Sequence, residues 1–307
     1  EGRVSKPLVI VGSGLAGYML AKEWRKHNAD GECVILTKSN GHFYSKPLLS
    51  TALTQEKTPQ TLAVNSVDEM AVQLSASIST QVTVRDICPY SQKITYQDAA
   101  KKTHEQVYSN LVLACGAHTI HADISGDAVR EIVSVNDLED YSHFREWLKG
   151  KKRLVVLGAG LVGCEFSNDL LNAGYKLDVV ECQAYPFASF VPEPVGRQLA
   201  AALHEKGLNW HLANGVTAVN KSASGYEVLL SDGTTLRCDG VMSAIGLRPD
   251  IQLAHTANLK THYGIVVDRW LRTSEKHIYA LGDCAEVAGQ VKMYVAPLLQ
   301  CARALAK

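Results

Sequence analysis

The feature that most constrains this chain is a pattern that occurs in it twice. Lys6–Ala21 reads KPLVIVGSGLAGYMLA, and Leu154–Glu165 reads LVVLGAGLVGCE. Each is an apolar strand running into three glycines, at 12, 14 and 17 in the first copy and at 158, 160 and 163 in the second. A helical pattern follows both. In such a turn the first glycine permits the sharp exit from the strand and the second lets the backbone approach a pyrophosphate. The third lets the helix pack closely on the strand. The diphosphate then meets the unpaired N–H groups and the dipole of the helix N-terminus. One copy arises in many sheets without a ligand, whereas two in one chain point to two nucleotide sites.

The next strand in each half should end on an acid that takes the ribose hydroxyls. Leu177–Glu181 does so. Glu181 follows Gly158 by about 20 residues, the spacing expected of a ribose contact. Cys182-Gln183 comes next, with no arginine to receive a 2′-phosphate, so NADH is favoured over NADPH. In the first half, Cys33–Thr37 ends on Thr37-Lys38, and Glu32 stands at the wrong end of the strand. How the first nucleotide is held is therefore open. Later in each half a buried strand ends in a small-x-Gly triplet, Ala114-Cys115-Gly116 and Ala244-Ile245-Gly246.

Other segments add candidates. FYSKPLLSTAL is a loop leading into a helix, in which Lys46 either reaches a phosphate or ring or is a solvated loop lysine. Strands are expected over Ser79–Ile87, Lys93–Tyr96 and Val107–Ala114. A helix is expected within Val135–Lys149 from a cap at Asn136, and another over Pro194–Lys206. Short strands follow, with Asp232-Gly233 as a hairpin turn. In Ile278–Val287 a strand ends on Gly282-Asp283, so the carboxylate either faces a ligand at the strand's C-terminal edge or caps a following helix. Pro297 opens the closing helix. The chain starts on a residue other than methionine and stops inside that helix, which reads as trimming at both ends.

Composition narrows the function. A length of 307 residues suggests two domains. Equal numbers of basic and acidic residues, 31 each, argue against nucleic acid or a membrane surface as the main partner. No apolar run approaches the roughly 18 residues of a spanning helix. Arg3 and Lys6 before PLVIVG loosely mimic a secretory leader, but the glycines and the lack of a small-x-small cleavage site favour a buried strand and a cytoplasmic protein. The eight cysteines include no C-x-x-C, no C-x4-C and no zinc spacing, so no metal site and no redox dithiol are expected. Cys115, Cys164 and Cys284 read as small buried hydrophobes.

With GSGLAGY, YSKPLLS, NDLEDY, LGAGLVGCEFSNDL, SAIGLRP, IVVDRWLRTS and IYALGDCAEV in view, nearly the whole chain resembles the glutathione-reductase-like flavoproteins with two dinucleotide sites. Within them it is most similar to the rubredoxin–NAD reductases. The resemblance implies an α/β fold of two Rossmann-like, three-layer ββα domains. The FAD domain is then discontinuous, over 1–118 and 243–307, with an NAD(H) domain inserted over 119–242. The family's C-terminal interface domain is absent from these residues. It implies that Gly12, Ser13, Gly14, Ala16 and Gly17 cradle FAD. Lys38, Lys46, Pro47, Val84, Ala114, Gly116, Asp283 and Val295 would make its remaining contacts. NAD would be held by Gly158, Gly160, Leu161, Val162, Gly163, Glu181 and Gly246, with Glu165 near the nicotinamide. Lys46 and Glu165 would act beside the flavin. Many ferredoxin-reductase relatives carry a lysine where this chain has Thr51, which leaves open whether Lys46 alone can partner Glu165.

The activity implied is NADH-driven reduction of FAD, which then delivers electrons one at a time to a rubredoxin-type carrier docked near the flavin edge. Ferredoxin or flavorubredoxin is the alternative carrier. A disulfide or peroxide reductase would need a cysteine in Tyr44–Thr51, which holds none. An NADH-sensing flavoprotein without an electron partner is the non-enzymatic alternative.

Overall fold

The computed structural model describes residues 6–307, so Arg3 and the first five positions of the expected FAD domain lie outside the described residues. The described residues form two units. One comprises the chain up to Tyr44 together with Ala63–His118 and Arg248–Lys307, and the other comprises Ser45–Leu62 with Thr119–Leu247.

The first unit is built on a five-stranded parallel sheet. Its order is Ile278–Ala280, Asn110–Leu113, Leu8–Val11, Cys33–Leu36, Ser77–Ser79. The first strand thus lies in the middle, with Val9 and Ile10 wholly buried. That placement is why it reads as a continuous apolar run, since a central parallel strand is covered on both faces. A three-stranded antiparallel meander, Thr83–Cys88, Lys93–Gln97 and Thr103–Val107, belongs to the same unit. The helix Leu15–His27 follows the first glycine turn.

The second unit repeats the plan. Its parallel sheet has the order Asn209–Leu212, Lys176–Glu181, Arg153–Leu157, Gly240–Ser243, again with the fingerprint strand inside. Its meander is Val216–Ser222, Gly225–Leu230 and Thr235–Cys238, with the expected turn at Asp232-Gly233. The fingerprint helix is Leu161–Asn172. Each unit has its own apolar core, and each fully buried aliphatic side chain in it contributes about 1.5–3 kcal/mol.

Several segments differ from their sequence reading. Ser79–Ile87 is two strands, because Gln81 takes a left-handed φ of +54° and turns the chain from the parallel sheet into the meander. Val107–Ala114 is also broken, at Tyr108-Ser109, where the amide of Ser109 donates to Pro7 O at 2.8 Å. The helix over 135–149 spans Leu138–Trp147, and its cap is Asp137 rather than Asn136. Asp137 accepts from the Asp140 amide at 2.7 Å while Asp140 accepts from the Asn136 amide at 2.9 Å. Gly282–Cys284 is a 3₁₀ turn followed by the strand Ala285–Val287, so no α-helix follows Asp283 for it to cap. The closing helix begins at Val295, which puts Pro297 inside its first turn.

The segment 45–62 packs in the second unit, and side chains explain why. Asp169, on the fingerprint helix and only 2% exposed, accepts from the amides of Leu53 and Thr54 at 2.9 and 2.8 Å and from Thr54 Oγ1 at 2.5 Å. Arg145 and Tyr141 both donate to Lys57 O, at 3.1 and 3.3 Å.

Candidate cofactor sites

The two glycine turns share one geometry. Gly12 leaves its strand at φ +113°, its amide donating to Leu36 O at 2.8 Å. Gly158 leaves at φ +96°, its amide donating to Val180 O, also at 2.8 Å. A Cβ on Gly12 would lie 2.1 Å from Ala114 O, and one on Gly158 would lie 2.5 Å from Ala244 O. Those carbonyls belong to the two small-x-Gly triplets, so the sequence echo between them has a steric origin. The third glycines are equally tight: a Cβ on Gly17 would come 2.0 Å from Gly12 O, and one on Gly163 would come 2.3 Å from Gly158 O.

The middle glycines are different. A Cβ on Gly14 or on Gly160 would meet no heavy atom within 4 Å beyond its own neighbours. The fold therefore has no packing reason to exclude a side chain there. Each is the N-cap of its helix, and neither helix has a side-chain cap. First-turn N–H groups left without side-chain acceptors beside an open approach are what a pyrophosphate requires. Both cradles fit a dinucleotide. At the second one, Leu161 and Val162 are exposed, an apolar lip at the start of the helix.

The strand ends differ between the halves. Glu181 Oε2 accepts from the Ala159 amide at 2.7 Å, and Oε1 accepts from the Gln183 amide at 2.9 Å. One carboxylate thus fixes the glycine turn and keeps lone pairs for hydroxyl donors. The corresponding place in the first half holds hydroxyls. Ser13 Oγ donates to Thr37 Oγ1 at 2.7 Å, and Ser39 Oγ lies 3.0 and 3.1 Å from the two. Ser13 and Thr37 are buried. The turn is braced by a neutral cluster where the other half uses a charge. Lys38, next to Thr37, lies 3.8 Å from Asp250 and is mostly exposed.

The remaining first-unit candidates are spread over its strands, turns and helices. Ala114 and Gly116, the latter at φ +70°, follow Asn110–Leu113, and Asp283 lies in the turn after Ile278–Ala280. Those two strands are neighbours in the sheet, which brings the candidates to one sheet end. Ala16 packs against the unit's core. Val84 is in the meander beside a bulge, and Val295 is the exposed first residue of the closing helix. In the second unit, Gly246 has φ +117° and a Cβ there would come 3.4 Å from Ile120 Cδ1.

Lys46 and Pro47 open the 3₁₀ helix Lys46–Thr51. Lys46 Nζ donates to Asn136 Oδ1 at 2.6 Å, while Glu165 Oε2 accepts from buried Ser50 Oγ at 2.5 Å. Ser50 and Asn136 were not singled out for these roles by sequence reasoning, nor was Asp169. Ser50 neighbours Thr51, the position where the resemblance placed a lysine, and that adjacency is the one signal that could have pointed to it.

The sequence pattern of the family described as "Pyridine nucleotide-disulphide oxidoreductase" matches residues 6–303. The chain is 45% identical to the "Rubredoxin-NAD(+) reductase" of Alcanivorax borkumensis, over 98% of this chain and 78% of that protein. It is 38% identical to the "Nitric oxide reductase FlRd-NAD(+) reductase" of Aliivibrio fischeri, over 99% of this chain and 78% of that one. Among solved structures it is similar to the reductase of the covalent putidaredoxin reductase–putidaredoxin complex, with a TM-score of 0.89 and 27% identity. That match covers 99% of this chain and 75% of the other.

Proposed function

The chain belongs to the pyridine nucleotide-disulphide oxidoreductase family, and on that footing we propose that it is an FAD-dependent NADH reductase that passes electrons singly to a rubredoxin-type iron carrier. The observation that carries this reading is the doubled cradle, tight at its outer glycines and open at its middle one. The unit that contains Gly12–Gly17 is assigned to FAD and the unit that contains Gly158–Gly163 to NAD(H). The 45% identity to a protein named for rubredoxin favours that carrier over the flavorubredoxin of the 38% relative. No helix among the described residues is long and apolar enough to cross a membrane. Eight cysteines without a disulfide suit the reducing cytoplasm, where the protein is placed.

Bound FAD supplies an acceptor for the hydride of NADH and a donor of single electrons to an iron centre. This chain supplies binding and orientation. The N–H groups at the starts of Leu15–His27 and Leu161–Asn172 receive the two pyrophosphates. The Ser13–Thr37–Ser39 hydroxyls stand where an acid would meet the FAD ribose, and Glu181 meets the NADH ribose. Lys46 is oriented by Asn136 and Glu165 by Ser50, which holds both side chains ready for the roles assigned to them. The carrier docks at the flavin edge. With no cysteine in Tyr44–Thr51, electrons leave to a separate protein rather than to a disulfide in that loop.

Two substitutions test these assignments. Glu181→Gln keeps an acceptor for the Ala159 amide and removes the charge. Hydrogen bonds to charged groups contribute about 1.5–3 kcal/mol, so the KM for NADH should rise about tenfold with kcat nearly unchanged. The preference over NADPH should shrink as the repulsion of the 2′-phosphate is lost. Steady-state kinetics with both nucleotides checks this, and an unchanged KM for NADH would remove Glu181 from the ribose. Ser50→Ala frees the Glu165 carboxylate, and the rate of flavin reduction by NADH should fall about tenfold, the loss of one charge-assisted hydrogen bond. Rapid mixing at saturating NADH reads that step directly, and an unaltered rate would make the Ser50–Glu165 contact structural only.

A further inference from the structure

The second unit's parallel sheet carries charges at the end away from its glycine turn. Arg153, Lys176 and Asn209 each open a strand of that sheet. The register sets Lys176 beside Arg153 and Asp178 beside Asn209. Register partners share a face, as do residues two apart on one strand, so these four residues belong to one face of the sheet. Farther along, the same face carries Val155, Leu157 and Val180, which join Val219, Val228 and Leu230 of the meander in one buried core. The apolar pattern stops at the strand starts. There a cavity of about 390 Å³ opens, lined by the four sheet residues and by Thr235, Leu236 and Arg237 of the meander.

Its charges are unbalanced. Neighbouring strands lie about 4.8 Å apart, so Arg153 and Lys176 are like charges placed side by side, an arrangement that destabilises a sheet. Among the described residues, neither takes part in a salt bridge. The carboxylates close by are engaged. Asp178 Oδ1 is paired with His211 Nε2 at 2.9 Å, and Arg237 is paired with Glu227 at 3.2 Å. Asp239 accepts from the amides of Lys152 and Arg153 at 2.7 and 2.9 Å.

We propose that this cavity is a further ligand site, for a small phosphomonoester that also carries hydroxyl groups. A phosphomonoester brings about −1.5 to −2 charges at neutral pH, which matches the two unpaired cations. The planar fork of Arg153 suits two of its oxygens, and Lys176 supplies a point charge beside it. The volume lies in the range of small-molecule sites, roughly 300–1,000 Å³, and so leaves room beyond the phosphate. Asn209, Thr235 and the second oxygen of Asp178 are the partners there for ligand hydroxyls. The NAD cradle is a separate place. Gly158 follows the other end of the strand that Arg153 opens, roughly 16 Å away, and Glu181 ends the strand that Lys176 opens. The site therefore stands independently of the cofactor reading.

The test is calorimetric titration at low ionic strength with glucose 6-phosphate as the probe and with glucose and succinate as controls. The parent protein is compared with the double variant Arg153→Gln, Lys176→Gln. The parent should bind the phosphate ester at least about tenfold more tightly than either control. The variant should lose at least about a hundredfold in that affinity, since two charge-assisted contacts are removed. Without ligand the variant should melt at a higher temperature than the parent, because the repulsion between the paired cations is gone. NAD⁺ should not displace the probe. A parent that binds glucose 6-phosphate no better than the variant does would overturn the site. Succinate bound as tightly would overturn the phosphate class, and displacement by NAD⁺ would put the probe in the cradle instead. A variant that melts lower than the parent would show that the two cations serve the fold rather than a ligand.

Discussion

Gly14→Ala is expected to give a folded protein that purifies without flavin. The added methyl meets nothing within 4 Å beyond its own neighbours, so packing is unperturbed, and Gly14 has an ordinary extended conformation. It projects instead into the space kept open for the pyrophosphate. Holding the phosphates away from the first-turn N–H groups forfeits several charge-assisted hydrogen bonds at about 1.5–3 kcal/mol each. The loss in FAD affinity should therefore exceed about a hundredfold. Gly17→Ala supplies the contrast. Its methyl would sit 2.0 Å from Gly12 O, a backbone atom that cannot swing aside, so helix and strand must separate. Overpacking of that kind costs about 1–3 kcal/mol or more, and this variant should lose thermal stability as well as flavin. Circular dichroism melting together with the flavin-to-protein absorbance ratio separates the two. A yellow Gly14→Ala protein with normal flavin content would refute the cradle.

Asp169→Ala should have the second-largest effect. The buried carboxylate is replaced by a methyl group, which leaves the amides of Leu53 and Thr54 without their acceptor. Unsatisfied donors cost about 1–3 kcal/mol each when buried; these bonds are part-buried and water reaches exposed Thr54, so the local destabilisation is about 2–3 kcal/mol. That energy falls on the segment carrying Lys46 and Ser50, far from where a cavity would weaken the sheet. Hydrogen exchange should become about a hundredfold faster over residues 46–57, while the strand Arg153–Leu157 stays protected. Flavin reduction by NADH should slow in parallel as Ser50 loses its fixed hold on Glu165. Exchange in 46–57 that matches the parent protein would show that other contacts hold this segment.

What could be read in the sequence was local. The glycine turns were legible because their outer glycines answer a nearby steric demand, and the paired triplets at Ala114 and Ala244 were legible because they supply the opposing carbonyls. Glu181 was legible because a fixed spacing places it at a strand end. The boundary at Tyr108-Ser109 was not. THEQV alternates as a meander strand should, but its last residue, Val107, joins the apolar run of NLVL and hides the break. Ser50 with Glu165 and Asp169 with Thr54 were hidden for a different reason. Each pair is more than a hundred positions apart in the chain, and no motif spacing connects them. The Ser13–Thr37–Ser39 cluster falls between these cases: the missing acid was visible, but its replacement by hydroxyls required the turn to be folded.

The most direct test mixes FAD-loaded protein anaerobically with NADH and follows the flavin's visible band, then adds oxidised rubredoxin. The band should bleach within a single turnover and return only when the carrier is added, and NADPH should bleach it at least about tenfold more slowly, as expected of a carboxylate facing the 2′-phosphate. A polypeptide that binds no flavin, or a bound flavin that stays oxidised in excess NADH, would contradict the assignment of the two cradles.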